Sequence, residues 1–234
     1  MPNPIDTVKK YAIIVAGGTG SRTSLPIPKQ FVKLLDRPVL MHTIAKFAEC
    51  FPDIEIIVPL PVSQIENWKR LCVDYNFTIV HTTIAGGDTR FQSVKNALNT
   101  IKEEGVVGIH DAARPLVSKQ VILNSYKTAE MYGNAVPAIP MNESLRQIDS
   151  RRSVAVDRTR FCIVQTPQCF KIDLLKNAFE QGYNNAFTDD ASVLEATGVK
   201  IHLIDGNPEN IKITNPRDFL IAEALFKSTQ SPLI

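Results

Sequence analysis

Short apolar runs alternate with segments of helical periodicity through most of this chain. The predicted strands are Tyr11–Val15, Glu55–Pro59, Phe77–His81, Val106–His110, Ala135–Ile139, Phe161–Val164 and Val199–Ile204. The predicted helices are Pro38–Cys50, a segment from a Ser63–Glu66 capping box to about Tyr75, Phe91–Lys102, Ser118–Tyr132, Asp173–Gln181, Asp190–Ala196 and Asp218–Lys227. This alternation predicts an α/β fold, with a mostly parallel sheet covered by helices on both faces. Ligands bind such sheets at the carboxyl ends of the strands.

The segment Pro140–Val156 departs from this alternation. Its apolar residues nearly alternate with polar ones, and Asp149–Arg152 has the composition of a turn. This pattern predicts a β-hairpin that leaves the main body. Because an isolated hairpin is marginally stable in water, it needs a partner surface. That surface is either a second subunit or the hairpin's own domain.

A glycine-rich loop, Ala16–Arg22, follows the first predicted strand, and Pro28–Phe31 comes soon after it. Glycines allow a tight turn that presents backbone N–H groups to an anion, and Arg22 and Lys29 add two cations. The loop is not a Walker A sequence, and Thr23 stands where the dinucleotide fingerprint requires a third glycine. It is either a cradle for a triphosphate or an ordinary turn between strand and helix.

Further polar motifs follow the other predicted strands. Gly86–Arg90, with Ser93 after it, offers close backbone approach and polar groups for reading a base edge, or is an ordinary helix start. His110–Pro115 would position metal, ribose or phosphate, or would form an internal Asp111–Arg114 ion pair. Polar loops are predicted at 165–168 and 188–190. Lys212 lies within a predicted short apolar strand, Asn210–Thr214.

Separated cations beside glycine loops recur along the chain, at Arg22, Lys29, Arg90, Arg114, Arg158 and Lys212. No nucleophile–base pair and no metal-ligand spacing is evident. This inventory is typical of phosphoryl or nucleotidyl transfer, in which positioning and charge stabilisation provide most of the catalysis.

The bulk composition excludes some classes of partner. A net charge of +2 disfavours nucleic acid and anionic membranes, and no run approaches the length of a membrane span. The four cysteines are widely spaced, which indicates reduced thiols, and Met1–Lys10 lacks the apolar core of a signal peptide. We expect a cytoplasmic protein whose 234 residues form one domain.

Seven motifs occur in order along the chain: AGGTGSR with PKQF, GGDTRFQSV, HDAARP, VDR, QTPQ, TDDAS and NIKIT. Together they resemble the 2-C-methyl-D-erythritol 4-phosphate cytidylyltransferase family, and the resemblance covers about residues 11 to 226. The resemblance implies a Rossmann-like nucleotidyltransferase fold with residues 140–157 as a β-arm for homodimerisation. It also implies that CTP and 2-C-methyl-D-erythritol 4-phosphate react to give the CDP-linked product and pyrophosphate, in non-mevalonate isoprenoid synthesis. Mg²⁺ would bridge the phosphates.

The resemblance also implies site residues. The residues that would bind the nucleotide are Ala16, Gly17, Gly18, Gly20, Gly87, Asp88, Ser93 and Asp111. The catalytic cations would be Arg22, Lys29 and Lys212. The acceptor would meet Arg114, Ser144, Arg158 and Thr188, with the arm reaching across from the other subunit. Asp111 would hold either the metal or a substrate hydroxyl.

The chain departs from the family pattern at two places. Gly17 replaces a usual alanine, which a backbone contact would survive. Glu143–Arg146 replaces an Asp-Thr pair followed by lysine, which leaves ribitol 5-phosphate as an alternative acceptor. A catalytically silent nucleotide-binding protein would lack the cations that face the phosphates, whereas this chain has them. A sugar-nucleotide glycosyltransferase would need an Asp-x-Asp pair after a strand, and none is placed there.

Overall fold

The computed structural model describes residues 8–17, 27–150 and 152–230. Its strands are β1 (Lys10–Val15), β2 (Lys33–Leu34), β3 (Arg37–Pro38), β4 (Glu55–Leu60), β5 (Thr82–Ala85), β6 (Val106–Asp111), β7 (Asn134–Pro140), β8 (Leu145–Asp149), β9 (Arg152–Val156), β10 (Cys162–Val164), β11 (Gln168–Lys171) and β12 (Leu203–Asp205). Its α-helices are α1 (Val39–Cys50), α2 (Val62–Asp74), α3 (Arg90–Thr100), α4 (Lys119–Tyr132), α5 (Ile172–Phe179), α6 (Asp190–Glu195) and α7 (Pro216–Gln230). No helix in these ranges is long and apolar enough to cross a membrane.

The central sheet has the strand order β10-β7-β11-β6-β1-β4-β5, with β12 beside β7. The pairs β6–β1, β1–β4 and β4–β5 are parallel, and β12 is parallel to β7. Strand β11 runs antiparallel to both β6 and β7. The predicted mostly parallel α/β fold is therefore confirmed, with an antiparallel insertion on one side.

Helices cover both faces of the sheet because its buried strands are apolar on both sides. Adjacent residues of β1 point to opposite faces, and Ile14 packs in the core under α1 and α4. Ile13 packs in the opposite core, with Phe91 of α3 and Phe179 of α5. A third cluster joins α7 to the segment around Ala113.

The parallel register brings three motifs to one edge of the sheet. Val15 at the end of β1 lies opposite Asp111 at the end of β6. Leu60 at the end of β4 lies opposite Ala85, so that Gly86 directly follows β5 at the same edge. The described residues that directly follow β1, β5 and β6 therefore face a common space.

Two predictions about the segment between β4 and β5 were wrong. Phe77–His81 is not a strand, since the strand that pairs with β4 lies just after it, at β5. Phe77 and His81 instead pack against Trp68 of α2, whose indole N–H donates to His81 Nε2 over 2.9 Å. The capping box is also absent. Helix α2 begins at Val62 after Pro61, without a side-chain cap, which places Ser63 inside the first turn.

Three further differences lie beyond β7. Residues 210–214 do not form a strand, although Ile213 N donates to Ala113 O over 2.9 Å. Of 199–204, only the last two residues join β12, and the Asn134 side chain binds the backbone of Lys200 and His202 before it. The last residue of the predicted polar loop 165–168, Gln168, is the first residue of strand β11. The polarity of the motif did not indicate a strand there.

The hairpin predicted in 140–157 is present as β8 and β9. Five residue pairs join the two strands, from Leu145–Val156 to Asp149–Arg152, and they pair with no other strand in the described ranges. Ile148 and Val154 are 83% and 56% exposed. The hairpin therefore has an apolar surface that the rest of its own subunit leaves uncovered.

Candidate active site

A cavity of about 350 Å³ opens at the edge of the sheet where β1, β5 and β6 end. Its lining residues are Val15, Ala16, Gly17, Lys29, Gln30, Gly87, Asp88, Thr89, Arg90, Ser93, Asp111, Ala112, Ala113 and Lys212. Eight of these were predicted as site residues: Ala16, Gly17, Lys29, Gly87, Asp88, Ser93, Asp111 and Lys212. Ala16 and Gly17 at the start of the first glycine loop, the second glycine loop and the end of β6 thus form one concave site.

Gln30 fixes the backbone at the start of the first glycine loop. Its side chain is buried, and its amide donates to Ala16 O over 2.8 Å. Ala16 N in turn donates to Pro59 O in β4 over 3.3 Å. Gln30 was not predicted as a site residue, although it lies in the quoted PKQF motif. Gly18, Gly20 and Arg22 lie outside the described residues.

Ser93 shapes the second glycine loop from beneath. Gly87 N donates to Ser93 Oγ over 3.0 Å, and the hydroxyl donates to Thr89 O over 2.9 Å. Thr89 also caps α3 by accepting from Gln92 N. Because Ser93 is 1% exposed, it fixes this loop in the present structure, while Asp88 lines the cavity.

Asp111 is surrounded by three cations. Lys212 Nζ lies 2.8 Å from Asp111 Oδ2, Arg114 Nε lies 3.5 Å from the same oxygen, and Arg90 Nε lies 3.6 Å from Oδ1. Burial alone would raise the pKa of this carboxyl. The charges of Arg90, Lys212 and Arg114 outweigh burial and hold the pKa well below its usual value. Asp111 is therefore a carboxylate at neutral pH.

Lys29 and Lys212 line the same cavity although 183 positions separate them. Lys29 Nζ donates to the backbone oxygen of Ile213, the residue after Lys212, over 2.9 Å. This bond joins the segment after the first glycine loop to the segment before α7. Two ammonium groups at one cavity are suited to binding a polyanion.

Arg114 does not line the cavity. Its side chain is 14% exposed, and Nη1 donates to Asn210 O over 2.7 Å. With Asp111 beside it, Arg114 forms the internal ion pair that the sequence left as an alternative. In this structure it supports the segment that carries Lys212.

Three other predicted residues also lie away from the cavity lining. Ser144 immediately precedes β8, and Arg158 follows β9 and donates to Asn142 O. Thr188 is exposed and comes just before Asp189, which caps α6. None of the three meets the cavity within the described part of this single chain.

His110 anchors the end of β6 beneath the site. Its Nε2–H donates to Arg114 O over 3.1 Å, and Nδ1 accepts from the Thr166 hydroxyl, 3.0 Å away. Thr166 Oγ1 also accepts from Asp111 N over 3.1 Å. His110 is fully buried and does not line the cavity. It therefore fits a structural role better than that of a general base.

Acid should destabilise the protein through His110. Burial lowers the pKa of His110 from 6.5 to about 4. Between these values the unfolded chain binds the proton more readily, so the free energy of unfolding should fall by about 3 kcal/mol as pH falls through this range. Urea unfolding from pH 7 down to about 4 measures this slope. The variant His110→Asn should flatten it, whereas an unchanged slope would show that the loss comes from other groups.

No group of three or more metal-binding side chains is found in the described ranges. All four cysteines are free thiols, as expected, but Cys162 is exposed while Cys169 alone is fully buried. The cavity therefore offers carboxylate, ammonium and backbone groups rather than a preformed metal cage.

A cavity lined by glycine-loop residues and two lysines, at the carboxyl edge of a mostly parallel sheet, is typical of one class: an α/β enzyme of the nucleotidyltransferase type. The sequence model of the 2-C-methyl-D-erythritol 4-phosphate cytidylyltransferase family matches residues 10–228. The chain belongs to this family.

Individual relatives match over nearly their whole length. A 2-C-methyl-D-erythritol 4-phosphate cytidylyltransferase from Bacteroides thetaiotaomicron is 45% identical over 93% of this chain and 100% of its own. One from Azobacteroides pseudotrichonymphae is 48% identical over 93% and 98%. The crystal structure of the Francisella tularensis protein of that name is 32% identical, covers 92% of this chain and 99% of its own, and has a TM-score of 0.76.

Proposed function

We propose that this protein transfers the cytidylyl group of CTP to 2-C-methyl-D-erythritol 4-phosphate and releases pyrophosphate. The observation that carries the proposal is the shared cavity of Lys29 and Lys212 beside two glycine loops, in a chain of this family. The product would be 4-diphosphocytidyl-2-C-methyl-D-erythritol, an intermediate of non-mevalonate isoprenoid synthesis. Ribitol 5-phosphate is not favoured as the acceptor, because the similar relatives carry the methylerythritol name.

The nucleotide would lie across the two glycine loops. Ala16, Gly17 and Gly87 would contact the cytosine through backbone groups, with Asp88 also lining the cavity. Gly18, Gly20 and Arg22 are assigned to the triphosphate by the motif, together with Lys29 and Lys212. Ser93 would act on the base through the loop that it holds.

Two glycine-to-alanine substitutions should show which glycine of the site has no room for a side chain and which has. A Cβ at Gly87 would overlap the Gln92 side chain and come within 3.2 Å of its backbone carbon, so Gly87→Ala should raise the Kd for CTP by about tenfold. A Cβ at Gly17 would lie 3.4 Å from Ser93 Oγ, which is an ordinary contact, so Gly17→Ala should change the Kd for CTP by less than about twofold. Calorimetric titration with CTP measures both. Equal losses in the two variants would contradict the placement of the base.

The reaction would be a single in-line displacement. An oxygen of the acceptor phosphate attacks the α-phosphorus of CTP, the bond to the bridging oxygen breaks, and pyrophosphate leaves with the electron pair. The acceptor phosphate is ionised near neutral pH, so no strong general base is needed. Lys29 and Lys212, with Arg22, would stabilise the charge that grows on the phosphate oxygens.

Mg²⁺ is the proposed cofactor. The cavity suits the usual mode of this ion, in which one or two carboxylates and the substrate phosphates share the coordination. Asp111 is the residue that would hold it, and Lys212 would then leave the Asp111 oxygen that it now contacts at 2.8 Å. When bound, the ion would neutralise charge on the triphosphate.

A homodimer would complete the acceptor site. Ser144 and Arg158 lie at the base of the β8–β9 hairpin, outside this chain's own cavity, and the hairpin exposes Ile148 and Val154. A hairpin of this kind gains stability by packing on a second subunit. The arm, residues 140–157, would then place Ser144 and Arg158 of one subunit at the acceptor phosphate of the other. Thr188, and Arg114 once rearranged, would meet the acceptor from the cavity's own chain.

The whole chain is proposed to form one nucleotidyltransferase domain from which the arm extends. Its four free thiols favour a reducing compartment, and we place the reaction in the cytoplasm.

Release of pyrophosphate tests the proposed function directly. The purified protein is incubated with Mg²⁺, one nucleotide and one acceptor, and pyrophosphate is followed enzymatically. CTP with 2-C-methyl-D-erythritol 4-phosphate should give rapid release, whereas UTP or ATP should give little. Faster release with ribitol 5-phosphate would show that ribitol 5-phosphate is the preferred acceptor. No release with any pair would overturn the function.

A further inference from the structure

Arg90 and Asp190 join two helix starts at the rim of the cavity. Arg90 is the first residue of α3 and Asp190 the first of α6. The guanidinium binds the carboxylate through two parallel bonds of 2.8 and 2.6 Å. The Asp190 side chain is 1% exposed. A two-pronged bond to a buried carboxylate fixes the plane of the guanidinium.

The start of α6 is itself held firmly. Asp189 and Ser192 form a reciprocal capping box. The Gln168 amide donates to Asp189 over 2.7 Å and accepts from Ala191 N over 2.9 Å. Asp190 is therefore a fixed anchor, and the direction in which Arg90 points is set from α6.

This anchoring places Nε of Arg90 beside Asp111. Each terminal nitrogen donates one N–H to Asp190, and Nε lies 3.6 Å from Asp111 Oδ1. Arg90 thus lines the cavity with its guanidinium held next to Asp111.

The three cations around Asp111 differ in their freedom to move. The side chain of Lys212 is 40% exposed and makes a single-point contact, whereas that of Arg114 is 14% exposed and bound to Asn210 O. Arg90 is held by Asp190. Lys212 is consequently the cation that can leave Asp111 for an arriving phosphate, while the two arginines continue to compensate the carboxylate.

We propose that Asp190 and Arg90 are positioning residues: Asp190 holds Arg90 in place, and Arg90 compensates part of the charge of Asp111, so that Lys212 is released from Asp111 to the triphosphate. Like charges repel, and Arg90 therefore weakens the hold of Asp111 on Lys212. Without Arg90, Lys212 is bound more tightly by Asp111 and costs more to withdraw. This inference rests on the proposed function, because it takes CTP as the ligand.

The double variant Arg90→Met/Asp190→Leu tests the inference. It removes one positive and one negative charge, so the net charge of the site is unchanged. Replacing a buried ion pair by apolar side chains of similar size is often neutral for stability. We expect a melting temperature near that of the wild type, a Kd for CTP about tenfold higher, and kcat/KM for CTP lower by a similar factor.

A merely structural pair would behave differently. In that case a double variant that is as stable as the wild type would also bind CTP and turn over within about twofold of the wild type. That result would overturn the inference. If the double variant does not fold, Arg90→Gln is measured in its place. A Kd for CTP equal to the wild-type value would likewise overturn the inference.

Ser118→Ala serves as the matched control. It removes the cap of α4, which does not line the cavity, so it should lower the melting temperature while leaving the Kd for CTP unchanged. The wild-type titration separates the two proposals. Absence of CTP binding by the wild type would defeat the proposed function itself, whereas normal binding by both the wild type and the double variant would defeat only the role of Arg90 and Asp190.

Discussion

Replacing Lys29 or Lys212 by alanine is expected to lower kcat by about 10²–10³, because each removes a preorganised charge from the phosphates of the transition state. Both ammonium groups line one cavity, and the Lys29–Ile213 bond fixes Lys29 against the segment that carries Lys212. The measurement is pyrophosphate release at saturating CTP and acceptor. Calorimetry with CTP then separates a loss of binding from a loss of turnover.

Lys33→Ala is the control for this pair of variants. Lys33 is exposed, lies four positions from Lys29 and does not line the cavity. It should keep wild-type turnover. If Lys29→Ala and Lys212→Ala both turn over at a near wild-type rate, the assignment of the phosphate site is wrong.

Arg158→Ala should raise the KM for the acceptor by about 10- to 100-fold and change the KM for CTP little. A charge-assisted bond to a phosphate commonly contributes about 1.5–3 kcal/mol, and Arg158 lies at the base of the arm rather than at the nucleotide cavity. Arg160→Ala, two positions along the same exposed turn, is the control. Equal effects of Arg158→Ala on both KM values would contradict its role.

Mixed dimers test the proposed homodimer, in which the arm of one subunit acts at the site of the other. A subunit carrying Lys212→Ala supplies an intact Arg158, and one carrying Arg158→Ala supplies an intact cavity. Random exchange should give hybrids with one complete site and restore about a quarter of wild-type activity at low acceptor concentration. No recovery after confirmed exchange would show that Arg158 serves its own chain.

The residues that lie at strand ends were the predictable part of the site. Parallel strands deliver their carboxyl-end loops to one edge, so the positions of Gly87 and Asp111 relative to Gly17 follow from topology once the strands are recognised. Lys212 was also singled out, because a lysine in an apolar segment needs an anion or solvent. The prediction of a strand around it was wrong, yet the cavity still includes it.

Contacts between distant segments were not predictable from local pattern. Asp190, the anchor of Arg90, is 100 positions away, and in the sequence it reads only as the start of a helix. Arg114 donates to the backbone oxygen of Asn210 over 2.7 Å, a contact that no side-chain motif signals. Similarly, Phe77 packs against Trp68 of α2 and does not belong to a strand of the sheet. An apolar run alone does not show whether its residues pack in a strand or against a helix.

A crystal structure with CTP and Mg²⁺ bound tests most directly whether Lys29 and Lys212 bind the same triphosphate. We predict that Nζ of Lys29 and of Lys212 both lie within hydrogen-bond distance of the triphosphate, about 3 Å, with Lys212 withdrawn from Asp111. A triphosphate bound elsewhere, or contacted by neither lysine while Lys212 remains on Asp111, would contradict the account.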